Sequence, residues 1–251
     1  MSVIALASIK GSPGVTTAAI TLGAVWPDPP LLVECDLGGG DVALRLRGHG
    51  NVPLNPDRGL LAYTVTGPLQ GSGSAALAPF VQTAEGGLDV VVGLPSPVHA
   101  GRLLPRLADL AAALRVAERP VLVDCGRITP ANLLAPVLNA ADLLVLVTRP
   151  TPAAIWHLRD AVRWLAEEAA PSRSAVVVVG TPAEARDVAD TLHAAGGGLD
   201  VVGVLADDRS AARAIEGAWN RDLDRTPLVR SARELASALS RRLAELIASQ
   251  P

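Results

Sequence analysis

A glycine-rich turn near the start of the chain carries residue types that bind phosphate. It runs from Lys10 to Thr17 and reads Lys-Gly-Ser-Pro-Gly-Val-Thr-Thr, between an apolar run and a helical pattern. In such a turn, backbone N–H groups point at the anion and the helix N-terminus adds partial positive charge. Thr16 offers a hydroxyl to a magnesium ion and Thr17 offers one to a phosphate. Taken alone, the turn is explained equally well as an ordinary strand-to-helix connection.

Carboxylates stand at the ends of two later apolar runs. Glu34 and Asp36 stand at the end of one run, and Asp124 lies near the end of another. Because parallel strands present their carboxyl ends at one sheet edge, these side chains are expected beside the phosphate turn. A magnesium-bound nucleoside triphosphate needs a hydroxyl on the metal, a carboxylate behind the metal's waters and another near an attacking water. Each carboxylate alone is also explained as a cap or turn residue, and the combination favours a nucleotide site.

The turn departs from a standard P-loop at the position that directly follows its last glycine. A P-loop has lysine there and this chain has Val15, while Lys10 is the only lysine in the sequence. A hydrogen bond to a charged group contributes about 1.5–3 kcal/mol, so its loss weakens binding by about one to two orders of magnitude. Hydrolysis is expected to suffer more, because positive charge stabilises the transferring phosphoryl group. Pro13 also removes a backbone N–H from the cradle.

Short apolar runs alternate with helical patterns along the chain. The runs lie at Val3–Ala7, Leu31–Cys35, Leu88–Val92, Val121–Cys125, Leu143–Val147, Ala175–Val179 and Val201–Leu205. Helices are predicted at Thr16–Val25, Ala100–Ala117, Pro152–Ala169, Pro182–Ala195, Arg209–Trp219 and Ser231–Ala248. Runs that are apolar on both faces are typical of buried parallel strands. The rhythm predicts an α/β fold of three layers, with a doubly wound, mostly parallel sheet.

The whole chain, residues 1–251, is predicted to form one domain. Its segment 48–87 is rich in Gly, Pro and Ser and is expected to be irregular, with one helix near Gly59–Val65. Mean hydropathy is +0.34, but no apolar run reaches the roughly 18–20 residues of a membrane span. The net charge of −3 and the lack of charge blocks argue against a dedicated nucleic-acid surface. We therefore expect a cytoplasmic protein.

At these motifs the chain resembles the MinD/ParA family, the deviant-Walker-A branch of the P-loop ATPases. That family's phosphate loop has the form Lys-Gly-Gly-x-Gly-Lys-Thr-Thr, which this sequence matches at Lys10, Gly11, Gly14, Thr16 and Thr17. The resemblance implies a P-loop NTPase fold, a homodimer, and ATP or ADP with Mg²⁺. It also implies that Lys10 reaches a phosphate across the dimer, that Asp36 lies near the attacking water, and that Asp124 is the Walker B aspartate.

The residues expected to contact nucleotide are Lys10, Gly11, Ser12, Gly14, Val15, Thr16 and Thr17. Those expected at the metal are Thr16, Asp124 through a water molecule, and Glu34. Gly180 stands near the place where the family often has an asparagine for the base. The C-terminal helix, Ser231–Ala248, has no aromatic residue and few cations, so we expect it to pack on the fold rather than anchor to a membrane.

Two functions follow from the resemblance. The first is a nucleotide-binding switch or positioning protein with weak or absent ATP hydrolysis, similar to the TadZ/CpaE-type proteins of Tad pilus and secretion systems, with a protein partner. The alternative is a pseudo-ATPase scaffold that binds no nucleotide and serves a secretion, pilus or partitioning system. A Rossmann-type dinucleotide-dependent oxidoreductase is disfavoured, because that class expects Gly-x-Gly-x-x-Gly and the turn offers only Gly11-x-x-Gly14.

Overall fold

An eight-stranded sheet forms the centre of the protein in the computed structural model. The structure describes residues 2–67, 74–130, 134–168, 173–196, 198–215 and 222–248. The strands are β1 (Val3–Ser8), β2 (Leu31–Glu34), β3 (Arg47–Gly48), β4 (Val52–Pro53), β5 (Gln82–Thr83), β6 (Asp89–Val91), β7 (Val121–Arg127), β8 (Leu143–Thr148), β9 (Ser174–Val179) and β10 (Asp200–Leu205). Strands β3 and β4 form a separate small hairpin.

The sheet is mostly parallel, in the order β10-β9-β8-β1-β7-β2-β6-β5. Only β5, at one edge, runs antiparallel to its neighbour. Every residue of β1, β8 and β9 is buried, because helices cover both faces of the sheet. This confirms the predicted α/β fold, and each of the seven apolar runs forms a strand of the sheet.

Helices form the two outer layers. They are α1 (Val15–Val25), α2 (Val42–Arg45), α3 (Leu60–Thr66), α4 (Ala100–Leu103), α5 (Leu107–Arg115), α6 (Ala135–Ala140), α7 (Pro152–Glu168), α8 (Pro182–Ala194), α9 (Arg209–Ile215) and α10 (Pro227–Ala248). Helices α1, α2, α9 and α10 pack with the face of β1 that carries Ile4 and Leu6. Helices α3 to α8 pack with the opposite face, which carries Val3 and Ala5.

Local chemistry explains where the helices differ from prediction. The expected helix Ala100–Ala117 is divided into α4 and α5 by a 3₁₀ turn at Leu104–Arg106. Pro105 lies in that turn and cannot donate the N–H that a continuous helix needs. Helix α10 begins at Pro227, ahead of the predicted Ser231. The end of the predicted helix Arg209–Trp219, residues 216–219, lies outside the described residues.

The segment 48–87 contains more structure than predicted. Beside the expected helix near Gly59–Val65, which is α3, it holds β4, β5 and 3₁₀ turns at His49–Asn51 and Ser74–Phe80. Residues 68–73 of this segment lie outside the described part. Among the described helices, none is both long and apolar enough to cross a membrane. The assignment of 1–251 to one domain stays a prediction.

Candidate functional site

The glycine-rich turn connects β1 to α1 at the carboxyl edge of the sheet. Gly11 and Gly14 have φ values of 74° and 104°, in the left-handed region that favours glycine. Gly14 is the N-cap of α1 and has no side chain that could cap this helix. The first N–H groups of a helix have no partner within the helix, so this turn presents them to an anion.

Val15 is turned away from the turn and into the core. Its side chain is 6% exposed and packs among apolar side chains of β1, α1 and α10. Lys10 and Ser12, by contrast, are exposed. The lysine position of a P-loop therefore contributes an apolar core contact here and no charge at the turn.

Asp124 is a buried carboxylate beside the turn. Its Oδ1 atom accepts a hydrogen bond from the Gly126 N–H at 2.9 Å, whereas its Oδ2 atom is buried and has no hydrogen-bond partner. Burial raises the pKa of Asp124 to about 6; the Thr16 hydroxyl, the Gly126 N–H and the charge of Arg45 act in the opposite direction. An unpartnered buried carboxylate oxygen is costly, which makes Oδ2 of Asp124 a candidate contact for a bound cation or its water shell.

Glu34 anchors the loop that follows β2. Its Oε1 accepts hydrogen bonds from the N–H groups of Asp41 and Val42, at 2.7 and 3.0 Å, and its Oε2 accepts one from Gly93 at 2.8 Å. Burial, followed by the charge of Asp124, raises the pKa of Glu34 to about 7. Both oxygens are engaged by the backbone, and the predicted role of Glu34 at a metal stays a prediction.

Asp36 lies between this loop and the end of β7. Its Oδ1 accepts a hydrogen bond from the Gly38 N–H at 2.7 Å, and its carboxylate lies against Gly126. The side chain is half-buried, and burial raises its pKa. Because β2 and β7 pair in parallel, with Glu34 opposite Asp124, the structure brings the predicted carboxylates to one sheet edge.

Arg45 is a site residue that no sequence pattern predicted. It lies at the end of α2, and its Nη2 donates a hydrogen bond to Oγ1 of Thr17 at 2.8 Å. The two residues are 28 positions apart, and no spacing rule connects them.

A small cavity of about 110 Å³ lies on the other side of the turn. Pro13, Gly14 and Thr17 line it together with Arg149 and Asp207, which form an ion pair at 2.7 Å. Small-molecule sites usually measure roughly 300–1,000 Å³, so this cavity is too small in the present conformation to enclose a nucleoside. At Gly180, an added Cβ would lie 2.7 Å from Oε2 of Glu184, so a side chain there would require the Glu184 carboxylate to move.

The oxygen ligands at this site suit a magnesium ion that is also bound by phosphates and waters, rather than a metal ion held by protein side chains alone. Within the described ranges, no group of three or more His, Cys, Asp or Glu side chains is placed to hold a metal ion. Mg²⁺ is usually bound by one or two carboxylates plus substrate phosphates and waters. Thr16 and the unpartnered Oδ2 of Asp124 fit that pattern.

Solved structures of several ATPases superpose on nearly the whole chain. MinD of Pyrococcus furiosus is 18% identical with a TM-score of 0.71, covering 96% of this chain and 99% of that protein. A ParA-family ATPase of Chlorobium tepidum is 19% identical with a TM-score of 0.71, covering 94% and 98%. MinD of Pyrococcus horikoshii in complex with Mg-ADP is 17% identical with a TM-score of 0.69, covering 98% of each chain.

This chain has the MinD/ParA fold. The sheet and its flanking helices match those of the solved structures over nearly the whole length of both chains. The P-loop NTPase fold that the resemblance implied is confirmed. No protein-family model and no curated protein matches the sequence. Within the MinD/ParA fold, the special likeness to TadZ/CpaE-type proteins stays a prediction.

Proposed function

We propose that this chain is a nucleotide-binding switch that holds Mg-ATP or Mg-ADP at the phosphate turn and hydrolyses ATP slowly or not at all. The observation that carries the proposal is the Oδ2 atom of Asp124, which is buried beside Thr16 and the turn without a hydrogen-bond partner. A carboxylate in that state is suited to a metal ion's water shell. The Mg-ADP bound to Pyrococcus horikoshii MinD, on the same fold, supports the choice of ligand.

Each residue has a defined task. The N–H groups at the start of α1 contact the phosphates, while Thr16 and Asp124 hold Mg²⁺, Asp124 through a water molecule. Magnesium held by these residues would neutralise negative charge on the phosphates. Asp36, half-buried at the same edge, orients a water molecule.

Slow or absent turnover follows from the lack of a cation at the lysine position of the turn. Val15 is apolar and buried, so it places no charge on a transferring phosphoryl group. Lys10 is exposed, and we propose that it reaches the nucleotide of a second copy in a homodimer. Such an assembly suits a positioning protein that binds a partner of a pilus or secretion system when it holds nucleotide.

A pseudo-ATPase scaffold is the second candidate, and a specific contact favours it. The Oγ1 atom of Thr17, which a phosphate would contact, already accepts a hydrogen bond from Arg45. The neighbouring cavity is also small, at about 110 Å³. In this alternative, the site is filled by the protein's own side chains and only the fold and its surfaces are used.

A titration with a fluorescent ATP analogue separates the two candidates. The switch is expected to show saturable, Mg²⁺-dependent binding that Thr16→Ala weakens. Thr191→Ala is the matched control, because the Thr191 hydroxyl donates a hydrogen bond to the Asp187 carbonyl within α8 and lies in no proposed site. Phosphate release under the same conditions measures turnover. Absence of binding at millimolar concentrations would leave the scaffold.

A further inference from the structure

We infer that Arg45 supplies the cation at the phosphate site that Val15 cannot supply, an inference that rests on the proposed function. The P-loop cation would thus come from α2, on the acidic loop, instead of from the first turn of α1. A nucleotide phosphate, or another phosphoryl group of the same chemistry, would be bound between Thr17 and the Arg45 guanidinium.

The position of the guanidinium carries the inference. Its Nη2 lies 2.8 Å from Oγ1 of Thr17, the hydroxyl that the turn offers to a phosphate. A phosphate oxygen that accepts a hydrogen bond from the Thr17 hydroxyl would therefore lie beside the Arg45 guanidinium.

The protein holds Arg45 there through buried contacts. Val42 and Ala43 of α2 are packed in the core, and the N–H groups of Asp41 and Val42 are bound by Glu34. The N–H of Gly40 donates to the Leu94 carbonyl at 2.7 Å. An anchored four-residue helix thus presents the guanidinium, which reduces the entropy lost when it binds a phosphate.

The chemistry of arginine suits the task. A guanidinium presents its N–H donors as a planar fork that matches two phosphate oxygens, and it stays charged at all working pH values. The site needs such a charge, because Asp36 and Asp124 are acidic and a triphosphate adds more negative charge. Lys10, which is exposed, does not fill this place.

Arginine substitutions test the inference with a fluorescent ATP analogue and Mg²⁺. Arg45→Ala is expected to weaken binding about 10- to 100-fold. Arg45→Lys is expected to retain part of the affinity, and Arg45→Gln, which can still bond to Thr17, is expected to lose as much as Arg45→Ala. Arg47→Ala is the matched control, because Arg47 lies two residues further along the chain, on β3, where its carbonyl accepts a hydrogen bond from the Glu85 N–H. The nucleotide affinity of Arg47→Ala is expected to be within about twofold of that of wild type.

The double variant Val15→Lys/Arg45→Ala adds a rescue. If Arg45 replaces the P-loop lysine, Val15→Lys is expected to tighten binding by a larger factor in the Arg45→Ala background than in wild type, and an equal factor in both backgrounds would contradict the replacement. Thermal melts identify any variant that does not fold, and Arg45→Gln then stands in for Arg45→Ala.

The outcomes separate this inference from the proposed function. If wild type binds nucleotide and both Arg45→Ala and Arg45→Gln bind it equally well or more tightly, the role of Arg45 is overturned. The proposed nucleotide switch then still stands. Absence of binding by wild type overturns both.

Discussion

The carboxylate of Asp36 fills the space that a side chain at Gly126 would need. Gly126 has a φ of 58°, and the Gly38 N–H holds Asp36 from the other side at 2.7 Å. The loop after β2 is thereby docked on the end of β7. The position of the proposed water-orienting carboxylate depends on a glycine on a different strand.

Replacing Gly126 tests this docking. Gly126→Ala is expected to lower the free energy of unfolding by about 1–3 kcal/mol, because an alanine is strained at positive φ and its Cβ displaces Asp36. Gly101→Ala is the control, since an added Cβ there meets nothing within 4 Å and the residue lies in α4. That control is expected to be neutral or to stabilise by up to about 1 kcal/mol. Equal stability of Gly126→Ala and wild type in urea denaturation would contradict the docking.

Asp124→Asn is expected to separate stability from binding. Burial raises the pKa of Asp124 to about 6, so at pH 7.5 the folded protein carries a buried charge that lowers its stability. The neutral amide is therefore expected to stabilise the Mg²⁺-free protein. The same change removes the charge that holds magnesium and is expected to abolish the Mg²⁺ dependence of nucleotide binding. Asp200 forms an exposed ion pair with Arg242, and Asp200→Asn should change neither the stability nor the Mg²⁺ dependence of nucleotide binding by much. An Asp124→Asn variant that is less stable than wild type and keeps its Mg²⁺ dependence would count against the metal assignment.

Glu34 predicts a pH dependence of stability. Its pKa rises from 4.5 to about 7 on folding, so between these values the folded state binds more protons than the unfolded state. The free energy of unfolding is therefore expected to fall as pH rises from about 4.5 to 7. Measured by urea denaturation without Mg²⁺, the slope should be smaller in Glu34→Gln than in wild type. Superimposable pH profiles with and without Glu34→Gln would show that Glu34 titrates normally.

Val15→Lys is expected to convert the turn toward a standard P-loop. The new ammonium group, at the first residue of α1, adds a charged contact and should tighten Mg-ATP binding about 10- to 100-fold, with increased phosphate release. Loss of the buried valine contact is expected to lower stability, and Val15→Ala measures that part alone. A folded lysine variant whose affinity and turnover match those of Val15→Ala would show that the rest of the site is not built for ATP.

The features predicted from sequence are those that depend on neighbours in the chain. The run Val3–Ala7 shows a continuous apolar pattern because helices bury both faces of β1. The phosphate turn is recognisable because Gly11 and Gly14 are needed at left-handed positions. The short strands β4 and β5 have only two residues each, too few for any periodicity to indicate them.

Contacts between distant segments could not be predicted in the same way. Arg45 reaches Thr17 only because α2 packs beside α1, and no local pattern encodes that approach. Glu34 was expected at a metal because its type fits, yet its oxygens bind N–H groups of a loop and of Gly93, 59 residues away. In both cases the partner follows from tertiary packing between segments that are distant in the chain.

Amide hydrogen exchange with and without Mg-ATP tests the central claim most directly, because it locates the ligand on the chain. Protection is expected at residues 11–17 and around Asp124–Gly126, and it should disappear in Asp124→Asn. Exchange that is unchanged at the phosphate turn under saturating Mg-ATP, or protection confined to other segments, would contradict a nucleotide site between Thr16, Thr17 and Asp124.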